Sequence, residues 1–206
     1  MQTNGSSSNS PGIGLALGWI AANTLAWVLI FAIPNSYWKF IATMGTRIER
    51  PEMVGYGLLL ATVQWLVLRG RVRSAPVWII GTCAAWVIGT WNLVVMIDKP
   101  QQFLALCWVG IVGGTIAGIT QAWSMRGYAR AAAWIPVTIL GSLAGWLIGV
   151  RVGFYTYFRW GFKQDLQNEN LPAQVGALVL GIVSASISAP VLIWILRHPK
   201  PESAKA

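Results

Sequence analysis

Titratable side chains are scarce in this chain. One histidine, two cysteines and six carboxylates stand among 206 residues, and only 10% of the sequence is charged, where an ordinary soluble domain carries about 25%. Each shortage removes a class of chemistry. The single histidine, His198, lies beyond the last apolar stretch, out of reach as a base for any serine within it, so a Ser-His hydrolytic pair has no members. Cys83 and Cys107 have no Cys/His cluster around them, and neither a metal site nor a disulfide is expected. Every Asp and Glu falls in a loop, at a stretch boundary or in a tail, which leaves ion coupling without the intramembrane carboxylates it uses. The expectation is a protein that is not an enzyme and holds no metal or cofactor.

What fills the chain instead is apolar: 55% of its residues are hydrophobic and the mean hydropathy is +0.57. Six apolar stretches, near 13–33, 53–69, 75–97, 103–125, 131–151 and 174–197, are each close to the ~20 residues a helix needs to cross a bilayer core. The fold class expected is all-α: a single six-helix transmembrane domain over 13–197, with disordered polar tails at 1–12 and 198–206. The excess of 15 basic over 6 acidic residues, a net charge of +9, would suggest nucleic acid in a soluble protein. Here the basic residues sit at helix ends, where they meet anionic lipid headgroups, so lipid and not nucleic acid is the expected partner.

Two phrases recur. Residues 62–73 read TVQWLVLRGRVR and residues 120–130 read TQAWSMRGYAR, with Gln64 and Gln121 each placed five residues before an Arg-Gly pair. Arginine in a last helical turn followed by glycine is a helix-stop signal, and the short connections predict tight turns between antiparallel helices. Arg69, Arg71, Arg73, Arg126 and Arg130 are thus candidate lipid-headgroup contacts on the cytoplasmic face, with both termini inside by the positive-inside rule. The odd stretches also match: WIAANTLAWVLI (19–30) lies on WIIGTCAAWVIG (78–89), and LGSLAGWLIG (140–149) keeps the second tryptophan. Three helical hairpins, 1–2, 3–4 and 5–6, are expected.

Small residues at four-residue spacing mark the expected packing faces: Gly14, Gly18, Ala22 and Ala26; Gly110, Gly114, Gly118 and Ala122; Gly141, Gly145, Gly149 and Gly153; Ala177, Gly181, Ala185 and Ala189. Helices in lipid gain no hydrophobic drive toward each other, so close backbone approach has to hold them, as in a glycine zipper. Of the 13 tryptophans, Trp38, Trp65, Trp91, Trp108, Trp123, Trp134 and Trp160 are expected as interfacial anchors. Trp27, Trp86 and Trp146 recur deeper, each after a small residue; with Gln64 and Gln121 they are the candidate ligand-binding residues. The amides are expected to bond a neighbouring helix backbone or interfacial water.

The phrase QWLVLRGRVR and the GW/AW-x-x-G helices resemble small bacterial multi-pass membrane proteins that repeat a Gln-Trp-x-x-Leu-Arg phrase. That resemblance implies an inner, cytoplasmic or thylakoid-type membrane and no activity. The proline–tryptophan loop pattern of the tryptophan-rich sensory proteins of the translocator family is missing around APVWIIG (75–81), as are the paired Asn-Pro-Ala motifs of water channels. The expected role is that of an accessory or interaction subunit of a membrane assembly, with a membrane-protein partner or a second copy of itself. A small transporter or carrier of a lipid or apolar ligand is the alternative, and a pigment- or cofactor-bearing subunit a further one.

Overall fold

A computed structural model describes residues 12–32, 50–72, 74–96, 102–156, 159 and 171–200. Among them the chain forms six α-helices: α1 (Ile13–Ala32), α2 (Arg50–Leu68), α3 (Ala75–Met96), α4 (Gln102–Ser124), α5 (Trp134–Thr156), preceded by a 3₁₀ turn at Ala131–Ala133, and α6 (Leu171–Leu196). Each coincides with one of the six apolar stretches. Three segments, Ile13–Ile30, Ala131–Gly153 and Gln174–Leu196, are long and apolar enough to cross a membrane, while Val54–Leu68 and Ala75–Gly89 are apolar but shorter. The six spans expected are thus met in part among the described residues.

Each helix packs on the one before and the one after it, and α6 returns to α1, which closes the six into a ring. The register of the close contacts shows how the helices run. A Cβ added to Gly110, Gly114 or Gly118 of α4 would lie 2.7, 2.8 and 3.0 Å from the Cα atoms of Leu143, Ile139 and Ile135 of α5. One series rises as the other falls, so α4 and α5 are antiparallel, backbone against backbone. Gly141, Gly145 and Gly149 of α5 meet Ser184, Leu180 and Gly176 of α6 in the same descending order, and Gly81 and Gly89 of α3 meet Thr120 and Gly113 of α4. Gly181 closes the ring, its would-be Cβ 2.6 Å from the Cα of Thr24 in α1. The stripe on α1 departs from expectation: Gly14 has nothing within 4 Å, and Gly18 only the Val67 side chain at 3.9 Å. The first turns of α1 therefore hold no close seam.

The basic turns come together at one end of the ring. Tyr128 donates its hydroxyl to the Arg71 carbonyl at 2.9 Å. The Ala129 N–H donates to His198 and the Lys200 N–H to Gly127, so ordered pairing runs through Lys200, into the stretch expected to be a tail. The Arg130 guanidinium lies 4.3 Å over the Trp194 ring and that of Arg126 is 5.4 Å from Trp123. Gly70 has φ 81°, the left-handed stop that was expected. Gly127 is not left-handed; its turn is held by the C-terminal segment instead. Arg73, Trp38, Trp160, the loops at 37–49 and 160–165, and the tails at 1–11 and 201–206 lie outside the described residues, as does the Trp91 side chain.

Two outcomes test the seams. Gly114→Ala and Gly149→Ala should each lower stability in detergent by about 1–3 kcal/mol, the usual cost of overpacking, whereas Gly14→Ala should be neutral or stabilising. Gly70→Ala should cost about 1–2 kcal/mol for its left-handed backbone, and Gly127→Ala much less; reversible denaturation in mixed micelles reads both pairs.

Candidate functional site

The interior is built in layers, and four-residue spacing builds them, since residues i and i+4 share a helix face. Along α1 the inward residues are Trp19, Asn23 and Trp27; along α3, Trp78, Thr82 and Trp86; along α5, Trp134, Thr138, Ser142 and Trp146. Two triangles of tryptophan result. Toward the basic end, the centroids of Trp19, Trp78 and Trp134 are 6.2, 5.8 and 6.4 Å apart. Toward the other end, those of Trp27, Trp86 and Trp146 are 4.8, 5.9 and 6.1 Å apart. Most of these pairs meet edge to face, the arrangement the ring quadrupole favours. Each triangle anchors one apolar cluster: Trp19, Trp78 and Trp134 with Leu68, Met125 and Leu192, and Trp27, Trp86 and Trp146 with Ile30, Leu60 and Leu180.

This corrects the reading of Trp134 as an interfacial anchor: it is 1% exposed and wholly internal. Trp123 and Trp108 are exposed, 62% and 45%, as anchors should be, while Trp65 is half-buried against the first cluster. Trp19 and Trp78 carried the missed signal, since they recur beside Trp27 and Trp86 in the aligned stretches.

Between the triangles lies a polar layer to which all six helices contribute. The Trp134 indole N–H donates to Gln121 Oε1 at 2.7 Å. An indole nitrogen only donates, so this bond fixes the Gln121 amide with its oxygen toward α5. Its nitrogen then donates to Thr82 Oγ1 at 2.8 Å and to Gln64 Oε1 at 3.3 Å. Gln64 Nε2 in turn donates to Asn23 Oδ1 at 2.7 Å, and Asn23 Nδ2 to the Trp19 carbonyl at 2.8 Å. The Trp19 indole N–H donates to Ser188 Oγ at 2.9 Å, and Ser188 to the Ser184 carbonyl at 3.0 Å. The chain of bonds runs one way, from a group that only donates to carbonyls that only accept, and no amide in it can flip without breaking a link.

Gln64 and Gln121 therefore bond neighbouring side chains, not the helix backbone or interfacial water that was expected. On α6, Ser184 and Ser188 face inward and Ser186 is exposed. The network's atoms are all uncharged amide, hydroxyl, indole and carbonyl groups.

A cavity of about 110 Å³ sits against this layer. Gln64, Gln121, Trp27, Trp86 and Trp146, the five candidate residues, all line it, as do Trp19 and Trp134. Where Trp19 and Trp27 stand eight residues apart, as do Trp78 and Trp86, Trp134 and Trp146 stand twelve apart. The extra turn in α5 adds a second inward polar position, Ser142, and the wall beside it is glycine: Gly113, Gly114 and Gly141. Arg69, Arg71, Arg126 and Arg130 are exposed at the basic end and take no part in the cavity. No group of three or more His, Cys, Asp or Glu residues that could hold a metal occurs among the described residues, and both cysteines are free.

The one-way chain predicts coupling. Trp134→Phe and Gln121→Leu should each cost about 1–3 kcal/mol, the penalty of orphaning a buried partner. Because each breaks the same bond, the double variant should fall well short of their sum, and a double-mutant cycle in micelles measures the difference. No protein family, curated protein or solved structure matches this chain, so the reading of the site rests on its own geometry.

Proposed function

We propose that this protein is a non-catalytic integral membrane protein that crosses the bilayer six times as three antiparallel hairpins and serves as an accessory or interaction subunit of a membrane assembly. The observation that carries the reading is the contrast between inside and outside. Large apolar residues are exposed on every helix, among them Leu17 and Leu25 on α1, Leu66 on α2, Ile80 on α3, Ile119 on α4, Leu140 on α5 and Ile182 on α6. Polar groups are gathered at the centre, where Asn23, Gln64, Thr82, Gln121 and Ser188 are linked by hydrogen bonds. Soluble monomers rarely expose so much contiguous apolar surface, whereas a lipid-facing bundle requires it and also requires its polar groups to be satisfied internally. The glycine seams then act as the zipper between neighbouring spans.

The basic end fits the cytoplasmic face of an inner or thylakoid-type membrane, with N- and C-termini inside. There Arg69, Arg71, Arg73, Arg126 and Arg130 meet anionic lipid, while Trp123 and Trp194 pack under the arginines at headgroup level. A lipid or pigment carrier fits the interior poorly, since pockets for such ligands run to about 300–1,000 Å³ against the 110 Å³ present.

Single cysteines introduced at Arg71 and Ala129, in a background without Cys83 and Cys107, should react with a membrane-impermeant maleimide only when the cytoplasmic face is open. Labelling from the outside would reverse the orientation. Native mass spectrometry after extraction in a mild detergent should show a stoichiometric assembly with another membrane protein or a second copy. A bare monomer from native membranes would contradict the accessory role.

A further inference from the structure

The hydrogen-bond chain leaves donors unspent on the chamber wall. Gln64 and Asn23 each use one of two amide hydrogens, Thr82 accepts from Gln121 while its own hydrogen meets no acceptor, and the Ser142 hydroxyl has no partner among the described residues. Ser142 stands out because its neighbours behave otherwise: Thr138 and Ser184 donate to the carbonyl four residues back at 2.7 and 2.8 Å. All four of these residues line the chamber. The opposite wall is apolar, made by the second tryptophan triangle and Leu180. No ionisable side chain lines it.

We infer that this chamber is a binding site for a small, uncharged molecule of the carbonyl class, with an acceptor oxygen at the polar layer and a methyl-sized apolar end against Trp27, Trp86 and Trp146. The chemistry selects against the other classes. A cation would meet spare donors and no carboxylate. Nor would the tryptophans cage one, because centroids 4.8–6.1 Å apart put the rings in contact with each other, with no room for a cation between them. An anion would lose its hydration without a cationic partner, at a cost neutral donors do not repay. A lipid exceeds the volume.

The test uses the full-length protein in detergent micelles, with indole ¹H–¹⁵N chemical shifts as the readout. Acetamide and isobutene are closely matched in shape and size and differ in the polar groups. Acetamide should give saturable shifts at Trp27, Trp86 and Trp146, and isobutene should not. Ser142→Val removes a hydroxyl that bonds nothing in the protein, so the fold should stand while acetamide affinity falls about fivefold, the worth of one neutral hydrogen bond. Ala117→Leu, which fills the chamber from α4, should abolish the shifts while leaving the Trp19 and Trp134 indole signals in place. Equal shifts with isobutene would make the chamber a plain apolar void and overturn the proposal. So would shifts that survive Ala117→Leu, or the absence of any saturable shift, which would leave water as the sole occupant.

Discussion

The bond from the Trp134 indole to Gln121 is the constraint on which the interior depends. An indole can only donate, so the amide must present its oxygen to α5, and every later orientation in the chain follows from that choice. In water such a chain would be weak, because each amide could exchange its partner for solvent. Buried between the tryptophan triangles, Asn23, Gln64, Thr82 and Gln121 are shielded from bulk solvent, and a broken link leaves a buried group without its partner. The interhelical bonds contribute about 0.6–2 kcal/mol each, modest singly. Their larger effect is on specificity, since a slip of one helix by a turn would bring Asn23, Gln64, Thr82 and Gln121 opposite apolar partners.

The triangles and the seams protect that layer from two directions. Three tryptophans in mutual contact close the ring's axis on either side of the amides, and each triangle draws one residue from α1, α3 and α5. Glycines at the α4–α5 and α5–α6 interfaces let backbones approach until side chains on the ring axis can touch. Neither device works alone. Without the glycines the axis would be too wide for the amides to meet, and without the amides the register of the rods would rest on packing alone.

Much of this was legible in the sequence, and what escaped has physical causes. Hydropathy located all six helices, to within about three residues at each end except for α5, which runs on five residues past its expected end to Thr156, because a helix buried or facing lipid is written as a long apolar run. Four-residue spacing found the α4 and α5 seams but overrated Gly14 and Gly18, since periodicity marks a face without saying what packs there. Trp27, Trp86, Trp146, Gln64 and Gln121 were singled out by recurrence, and the structure brings them to one cavity. Trp134 was misread because its position near a span end suits an interfacial anchor as well as a plug, and only the extra turn of α5 carries it into the axis. The arginine turns were read as helix stops, yet Gly127 shows a stop made by tertiary pairing, which no local pattern encodes.

Hydrogen exchange at the indole nitrogens tests the polar chain most directly, because exchange needs the bond to open and water to reach it. With each tryptophan signal resolved in micelles, the Trp19 and Trp134 N–H groups should exchange orders of magnitude more slowly than that of Trp123 at the exposed edge, and should do so together. Rates for Trp19 and Trp134 comparable to Trp123 would mean that the links to Ser188 and Gln121 do not persist, and the account of a ring held in register by a one-way chain of amides would be wrong.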